Sequence, residues 1–410
     1  MTQIAENNLC CGCAACIQRC PKKCITLRVD NQGFLYPQVN KSICIDCGLC
    51  EKVCPVLNEA TPHLPLNVYA AINKDEKIRL ESSSGGIFTL LAEKTINEGG
   101  VVFGARFDED WQVKLDYTEC IEGIAAFRGS KYVQARTGNT YKEAEYFLKA
   151  GRKVLFTGSP CQIAGLKMFL RKEYDNLLAV DFVCHGVPSP KVWEIYLQEL
   201  LASKGEINTV SFSPNQTNVS ERNAPIVGIS FRDKTLGWKK FSFVLRQNLT
   251  KVAADGEENS VSFSDMHRDN TFMRLFLFDV ILRPSCYDCH CKEGKSGADI
   301  TIADFWGIGN VSPEMDDDKG TSLILVQTLK GKHAFSLLDI SKKEQAYEEA
   351  MQFNQGLKSV CRPHPKREMF WNMVNTGKSL DSCCNLILKE SILVRLKRKI
   401  KQIINPFIKR

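Results

Sequence analysis

The sequence predicts a small α+β module followed by a larger α/β domain, whose sheet is mostly parallel and carries an antiparallel subregion. Three observations predict it. One cysteine pattern is written twice within residues 10–55. From residue 68 onward, short β-rich runs alternate with apolar-periodic runs of helical length, as in strands joined by crossover helices. Over residues 207–261 this gives way to strand-like runs parted by Gly- and Asn-containing turns, the texture of antiparallel pairing. At 410 residues the chain has room for two or three domains. The expected divisions are a module over 1–60, a linker over 61–67 holding Pro62 and Pro65, a main domain over 68–340, a helical region over 341–388 and a tail over 389–410.

The first copy of the cysteine pattern is Cys10-x2-Cys13-x2-Cys16-x3-Cys20-Pro21, and the second is Cys44-x2-Cys47-x2-Cys50-x3-Cys54-Pro55. Each cysteine of the second copy lies 34 positions after its counterpart. This is the bacterial two-cluster ferredoxin run, in which three closely spaced thiolates wrap one iron–sulfur cube and the fourth reaches the other. Cys10, Cys13, Cys16 and Cys54 are therefore expected on one [4Fe–4S] cluster, and Cys44, Cys47, Cys50 and Cys20 on the second. Zinc knuckles seldom combine this spacing with a following proline, and disulfides need no duplicated register. Cys11 and Cys24 fall outside the register and read as small packed thiols.

In the α/β part, strands are expected over 68–72, 101–105, 153–157, 177–184, 299–303 and 322–327. Helices are expected over 87–96, 141–150, 162–170, 191–202, 267–282, 332–351 and 368–378. Strand-like runs over 226–231 and 240–245 mark the antiparallel subregion, the expected place of substrate choice.

The net charge of +7 is not spread along the chain: the tail over 389–410 holds eight Lys/Arg against one Glu, and the remainder is balanced. A neutral body argues against nucleic-acid binding. In the tail, Ile392, Leu393, Leu396, Ile400, Ile403, Ile404 and Phe407 recur at helical spacing among basic residues. That pattern suits peripheral contact with an anionic membrane or docking of a helix. No run of apolar residues approaches the length of a membrane span. Nineteen cysteines, and no apolar leader before Cys10, point to a reducing cytoplasm.

Several turns can carry chemistry. Ser82-Ser83-Ser84-Gly85-Gly86 opens a helix and lets backbone N–H groups approach a phosphate, or serves as a plain cap. Gly129-Ser130-Lys131 adds a cation on a second turn. Gly158-Ser159-Pro160-Cys161 and Cys184-His185-Gly186 both follow strands, so a parallel sheet would bring them to the carboxyl edge where ligands bind. Cys286-x2-Cys289 follows the break at Arg283-Pro284. Gly307-x-Gly309 lacks the third glycine of a dinucleotide fingerprint.

These motifs, with Ala298-Asp-Ile-Thr-Ile-Ala-Asp304-Phe-Trp-Gly307, resemble the coenzyme F-420 hydrogenase/dehydrogenase beta-subunit family over roughly residues 68–330. The resemblance implies an iron–sulfur flavoprotein with FAD. Ser83, Ser84, Gly85, Gly86, Ser130 and Lys131 are its flavin-contact candidates. It also implies a third [4Fe–4S] cluster on Cys161, Cys184, Cys286 and Cys289, with Cys291 as a departure able to replace one of them. The implied activity is electron transfer between the clusters and FAD, with ferredoxin or a reduced coenzyme as redox partner and a small-molecule substrate the sequence does not name. Two other expectations stand beside it. One is a non-catalytic electron-transfer subunit of a larger complex. The other is a redox enzyme of polysaccharide biosynthesis held at the inner membrane face by the tail.

Overall fold

A computed structural model of the chain describes residues 4–203, 225–252 and 258–389. The tail, apart from Lys389, lies outside the described residues, as do 204–224 and 253–257 of the antiparallel subregion.

The N-terminal module holds two short helices, Ala15–Arg19 and Leu49–Lys52, and a hairpin of Ile25–Val29 with Leu35–Val39. The two helices begin 34 residues apart, so the duplication seen in the cysteines is a duplication of backbone. Its cause lies in the loop before each helix. Gly12 and Ala14 in the first copy have φ of 74° and 62°, and their counterparts Asp46 and Gly48 have 48° and 69°. Paired left-handed residues curl each x2-x2 loop around one point. A non-glycine in that region costs about 1–2 kcal/mol, and each loop places a glycine at only one of its two positions.

The main domain is built on an eight-stranded mixed sheet. In spatial order its strands are Ile340–Glu344, Asn67–Asn73, Ser322–Val326, Ile300–Asp304, Leu177–Phe182, Val154–Thr157, Val101–Phe107 and Val113–Thr118. Only the central run, from Ile300–Asp304 to Val101–Phe107, pairs in parallel. The expectation of a mostly parallel sheet is corrected accordingly. Strand direction depends on the connection, and no long helix separates Ile300–Asp304 from its antiparallel neighbour Ser322–Val326. The antiparallel subregion is a separate three-stranded sheet of Ile226–Asp233, Ser242–Val252 and Glu258–Met266. Phe231, Phe243, Trp193 and Phe272 cement it to the helices beside it.

Two expected helices are shorter than the sequence suggested. The span 332–351 divides into helix Leu329–Ser336, strand Ile340–Glu344 and helix Tyr347–Met351. The main sheet therefore runs past residue 340 into the region expected to be helical. The span 267–282 yields only Thr271–Leu277, because Asp279 turns left-handed at φ 58°. No helix among the described residues is long and apolar enough to cross a membrane.

The module is fastened to the domain. Arg283 is fully buried and reaches across. Its Nε donates to the Cys10 carbonyl at 2.7 Å, Nη2 to the Leu35 carbonyl at 3.0 Å and Nη1 to Gln134 Oε1 at 2.9 Å. Its guanidinium also lies 4.2 Å from the ring centre of Tyr36. Helix Pro160–Leu170 approaches so closely at Gly165 that a Cβ there would stand 2.8 Å from Cys13 Cβ.

Candidate iron–sulfur and cofactor sites

Among the described residues, cysteines line three cavities. Cys10, Cys13, Cys16 and Cys54 share the first with Cys11 and an apolar wall of Ile4, Leu27 and Pro37. Cys20, Cys44, Cys47 and Cys50 share the second with Cys24, whose Sγ is 3.4 Å from that of Cys20. Each four-cysteine set expected from the spacing thus surrounds one space. The second set opens toward solvent, where Cys47, Ile43 and Ile45 are exposed.

The third cavity lies where the module meets the carboxyl edge of the sheet. It is lined by Cys161, Cys184, Cys286, Cys289, Cys291 and Cys11. Cys161 sits in the first turn of Pro160–Leu170, held by a capping box between Ser159 and Gln162. Cys184 follows Leu177–Phe182, the parallel neighbour of the strand before Cys161. Cys286 lies in the turn Pro284–Asp288 that Arg283 anchors, and Cys289 follows it. The Val187 N–H donates to Cys286 Sγ at 3.4 Å, and Ser159 Oγ lies 3.3 Å from Cys161 Sγ. Such bonds to sulfur tune cluster potentials.

Four thiol sulfurs around one space are a donor set that both iron–sulfur clusters and zinc take. Burial, then the neighbouring sulfurs of Cys10, Cys54 and Cys50, pushes the Cys16 thiol up to about 12. Burial does the same to Cys286, also to about 12. Contact with Cys11, then burial, drives Cys161 well above the usual thiol range, and burial followed by Cys286 and Cys161 does so for Cys184. Crowded sulfurs of this kind hold their protons until a cationic centre takes their place.

Cys11 is the residue the sequence did not reveal. It lines the first and third cavities alike, beside Cys13 in one and Cys161 in the other. Cys291 is buried at the third cavity. The only sequence signal for either is its closeness to a ligand candidate, Cys10 and Cys289 respectively.

The flavin-contact candidates come together in part. Ser83 Oγ accepts from the Ser130 N–H at 2.7 Å and lies 2.8 Å from Ser130 Oγ. Ser84 Oγ donates to the Thr321 carbonyl, and the Gly85 N–H donates to Ser322 Oγ at 3.0 Å. Gly85 packs so close to the sheet that a Cβ would stand 2.4 Å from the Ala71 carbonyl oxygen. Gly86, at φ 82°, opens helix Ile87–Asn97. The Lys131 amine folds back on its own turn, donating to the carbonyls of Ala126, Arg128 and Gly129 at 2.9, 3.0 and 3.3 Å. Burial, with Arg106 nearby, pulls it down to about 7. Beside these loops Arg232 pairs with Asp304 at 2.8 Å and stacks 4.0 Å from the ring centre of Phe241. Its Nε is buried without a partner.

Residues 151–350 match the family described as the C terminus of the coenzyme F420 hydrogenase/dehydrogenase beta subunit, and residues 9–58 match the 4Fe-4S dicluster domain. One of the named subunits of the F(420)H(2) dehydrogenase of Methanosarcina mazei is 24% identical over 194 residues, covering 45% of this chain and 55% of that protein. The coenzyme F420-dependent sulfite reductase of Methanocaldococcus jannaschii is 26% identical over 198 residues, 46% of this chain and 29% of that protein. The F420-reducing [NiFe] hydrogenase complex of Methanosarcina barkeri superposes with a TM-score of 0.40 at 18% identity, covering 79% of this chain and 90% of that one. The chain spans about half the length of the first of these relatives. It carries a 4Fe-4S dicluster domain and is related in sequence to F420-dependent enzymes.

Proposed function

We propose that this chain, which joins a 4Fe-4S dicluster domain to a domain of the F420 hydrogenase/dehydrogenase beta-subunit type, is an iron–sulfur flavoprotein oxidoreductase. The observation that carries the reading is the shared wall of the first and third cavities. Cys11 lines both, beside Cys13 in the ferredoxin module's cavity and beside Cys161 in the cavity of the α/β domain. The module is then the inlet for single electrons from a carrier such as ferredoxin or a reduced deazaflavin coenzyme. Its ligands are Cys10, Cys13, Cys16 and Cys54 in one cavity and Cys20, Cys44, Cys47 and Cys50 in the other. Cys161, Cys184, Cys286 and Cys289 are the ligands of the third.

The unpartnered Arg232 Nε, next to the Ser83–Ser130 pair, suits an anionic cofactor such as FAD. When bound, a flavin supplies the change from single electrons to a two-electron step on the substrate. The chain's own part is to hold, bury and orient. Arg283 keeps the cavities in register, and the N–H···S bonds set how readily each site accepts an electron.

The test takes two portions of anaerobically purified protein: one is acid-extracted for flavin, and the other, left intact, is mixed with reduced ferredoxin and, separately, with reduced coenzyme F420. Released FAD and bleaching of the protein by one of the donors support the reading. Iron without flavin ends it. A second reading, an electron-transfer subunit without a substrate pocket, is favoured by the M. mazei relative's being part of a multi-subunit dehydrogenase. Turnover of a small molecule by the isolated monomer would rule it out.

A further inference from the structure

At the rim of the third cavity, three different donors converge from three separate segments. His185 follows strand Leu177–Phe182, Asp279 follows helix Thr271–Leu277, and Cys361 lies beyond the turn Gln355–Leu357. His185 Nε2 is 2.7 Å from Asp279 Oδ1. Cys361 Sγ donates to the His185 carbonyl at 2.8 Å. The imidazole nitrogen, carboxylate oxygen and thiol sulfur all lie within 4.8 Å of one another.

The surroundings hold these groups in place. The His185 ring packs edge-on against Phe276 at 5.0 Å. The Asp279 carbonyl accepts from Tyr287 Oη at 2.6 Å and from the His364 N–H at 3.4 Å, which ties the 361–364 turn to Asp279. Cys361-x2-His364 therefore brings a second imidazole onto the same turn.

We propose that His185, Asp279 and Cys361 bind a zinc-class divalent cation at the rim of the third cavity, with ligands distinct from the cysteine quartets. The mixed sulfur, nitrogen and oxygen set selects the metal class, since magnesium and calcium take oxygen ligands. Zinc accepts all three donor types, and a three-residue site leaves its fourth position to water or to His364. Tetrahedral zinc holds its ligands roughly 3–4 Å apart, so the His185–Asp279 pair, now at 2.7 Å, opens slightly on binding while Cys361, within 4.8 Å of both, closes in. The bound cation would pin the 358–366 segment over the cavity that Cys184 and Cys286 line.

The test uses the anaerobic holoprotein, equilibrated with micromolar zinc sulfate and desalted. Zinc and iron are counted together, and the zinc K-edge absorption spectrum is recorded, which iron does not obscure. The site predicts about one zinc per chain with a single sulfur near 2.3 Å among nitrogen and oxygen ligands. Cys361→Ala and Asp279→Asn each lower zinc retention at least tenfold and leave iron unchanged. Absence of zinc, or a shell of sulfur alone that places the metal in a cysteine cavity, overturns the proposal. So does loss of iron with zinc in Cys361→Ala, which would make Cys361 an iron ligand. If the variants fail to fold, the wild-type spectrum decides alone. The iron count separately reports on the iron–sulfur reading, so the two fail independently.

Discussion

Replacing Arg283 with methionine keeps the apolar stem and removes the guanidinium that fastens the ferredoxin module. Three hydrogen bonds disappear, to the carbonyls of Cys10 and Leu35 and to Gln134 Oε1. Two backbone carbonyls are left without that partner, at about 1–3 kcal/mol each. Loss of the stack on Tyr36 adds about 1 kcal/mol, and relief of a buried charge offsets part of the total. A net loss of about 3–4 kcal/mol in the docked state follows, a rise of roughly a hundredfold or more in the opening equilibrium. Hydrogen exchange on anaerobic holoprotein reads it directly. Amides of residues 10–13 and 34–36 should exchange that much faster, while those of the central strands Val154–Thr157 and Leu177–Phe182 keep their rate. Unchanged exchange at residues 10–13 would refute the clamp. Equal acceleration in the central strands would show that Arg283 supports the fold as a whole rather than the docking.

Gly165→Ala should destabilise the protein despite alanine's advantage of about 1 kcal/mol in a helix. The new methyl meets Cys13 Cβ and Sγ at 2.8 and 2.9 Å, and overpacking costs about 1–3 kcal/mol; a higher denaturation midpoint than wild type would disprove the close approach. Cys11→Ala should leave the iron count unchanged and shift the cluster signals in electron paramagnetic resonance. A loss of about four irons would instead make Cys11 a ligand. Asp181 lies buried in strand Leu177–Phe182, and burial raises its carboxyl to about 6. Its native state therefore holds a proton that the unfolded state releases near 4, and stability falls as the pH rises through 6. Asp181→Asn should raise stability at pH 7 by up to about 3 kcal/mol, read as a higher denaturation midpoint, with a gain that shrinks as the pH is lowered through 6; equal midpoints at pH 7 would contradict this.

The two cysteine quartets stand out by their duplicated spacing, each set lines one cavity, and the paired left-handed residues at 12, 14, 46 and 48 carry the same register. Most strands and helices of the central sheet were legible from apolar periodicity. Strand direction was not, since Ser322–Val326 reads the same whichever way it pairs. Ile340–Glu344 was missed because it is an edge strand, exposed at four of five positions, with no alternation to mark it. Arg283 read as a helix break before proline. Its role depends on carbonyls more than 240 residues away in the chain, which no local pattern reveals. Cys11 and Cys361 escaped for the same reason: each takes its meaning from a partner supplied by another segment.

The central claim is that three cysteine cavities form one continuous redox unit. Iron and acid-labile sulfide, counted anaerobically in the wild type and in Cys184→Ala, test it most directly. The account predicts about twelve irons per chain in the wild type and about eight in the variant, whose ferredoxin signals persist. Eight irons in both would contradict it, leaving a ferredoxin module beside a domain that holds no cluster.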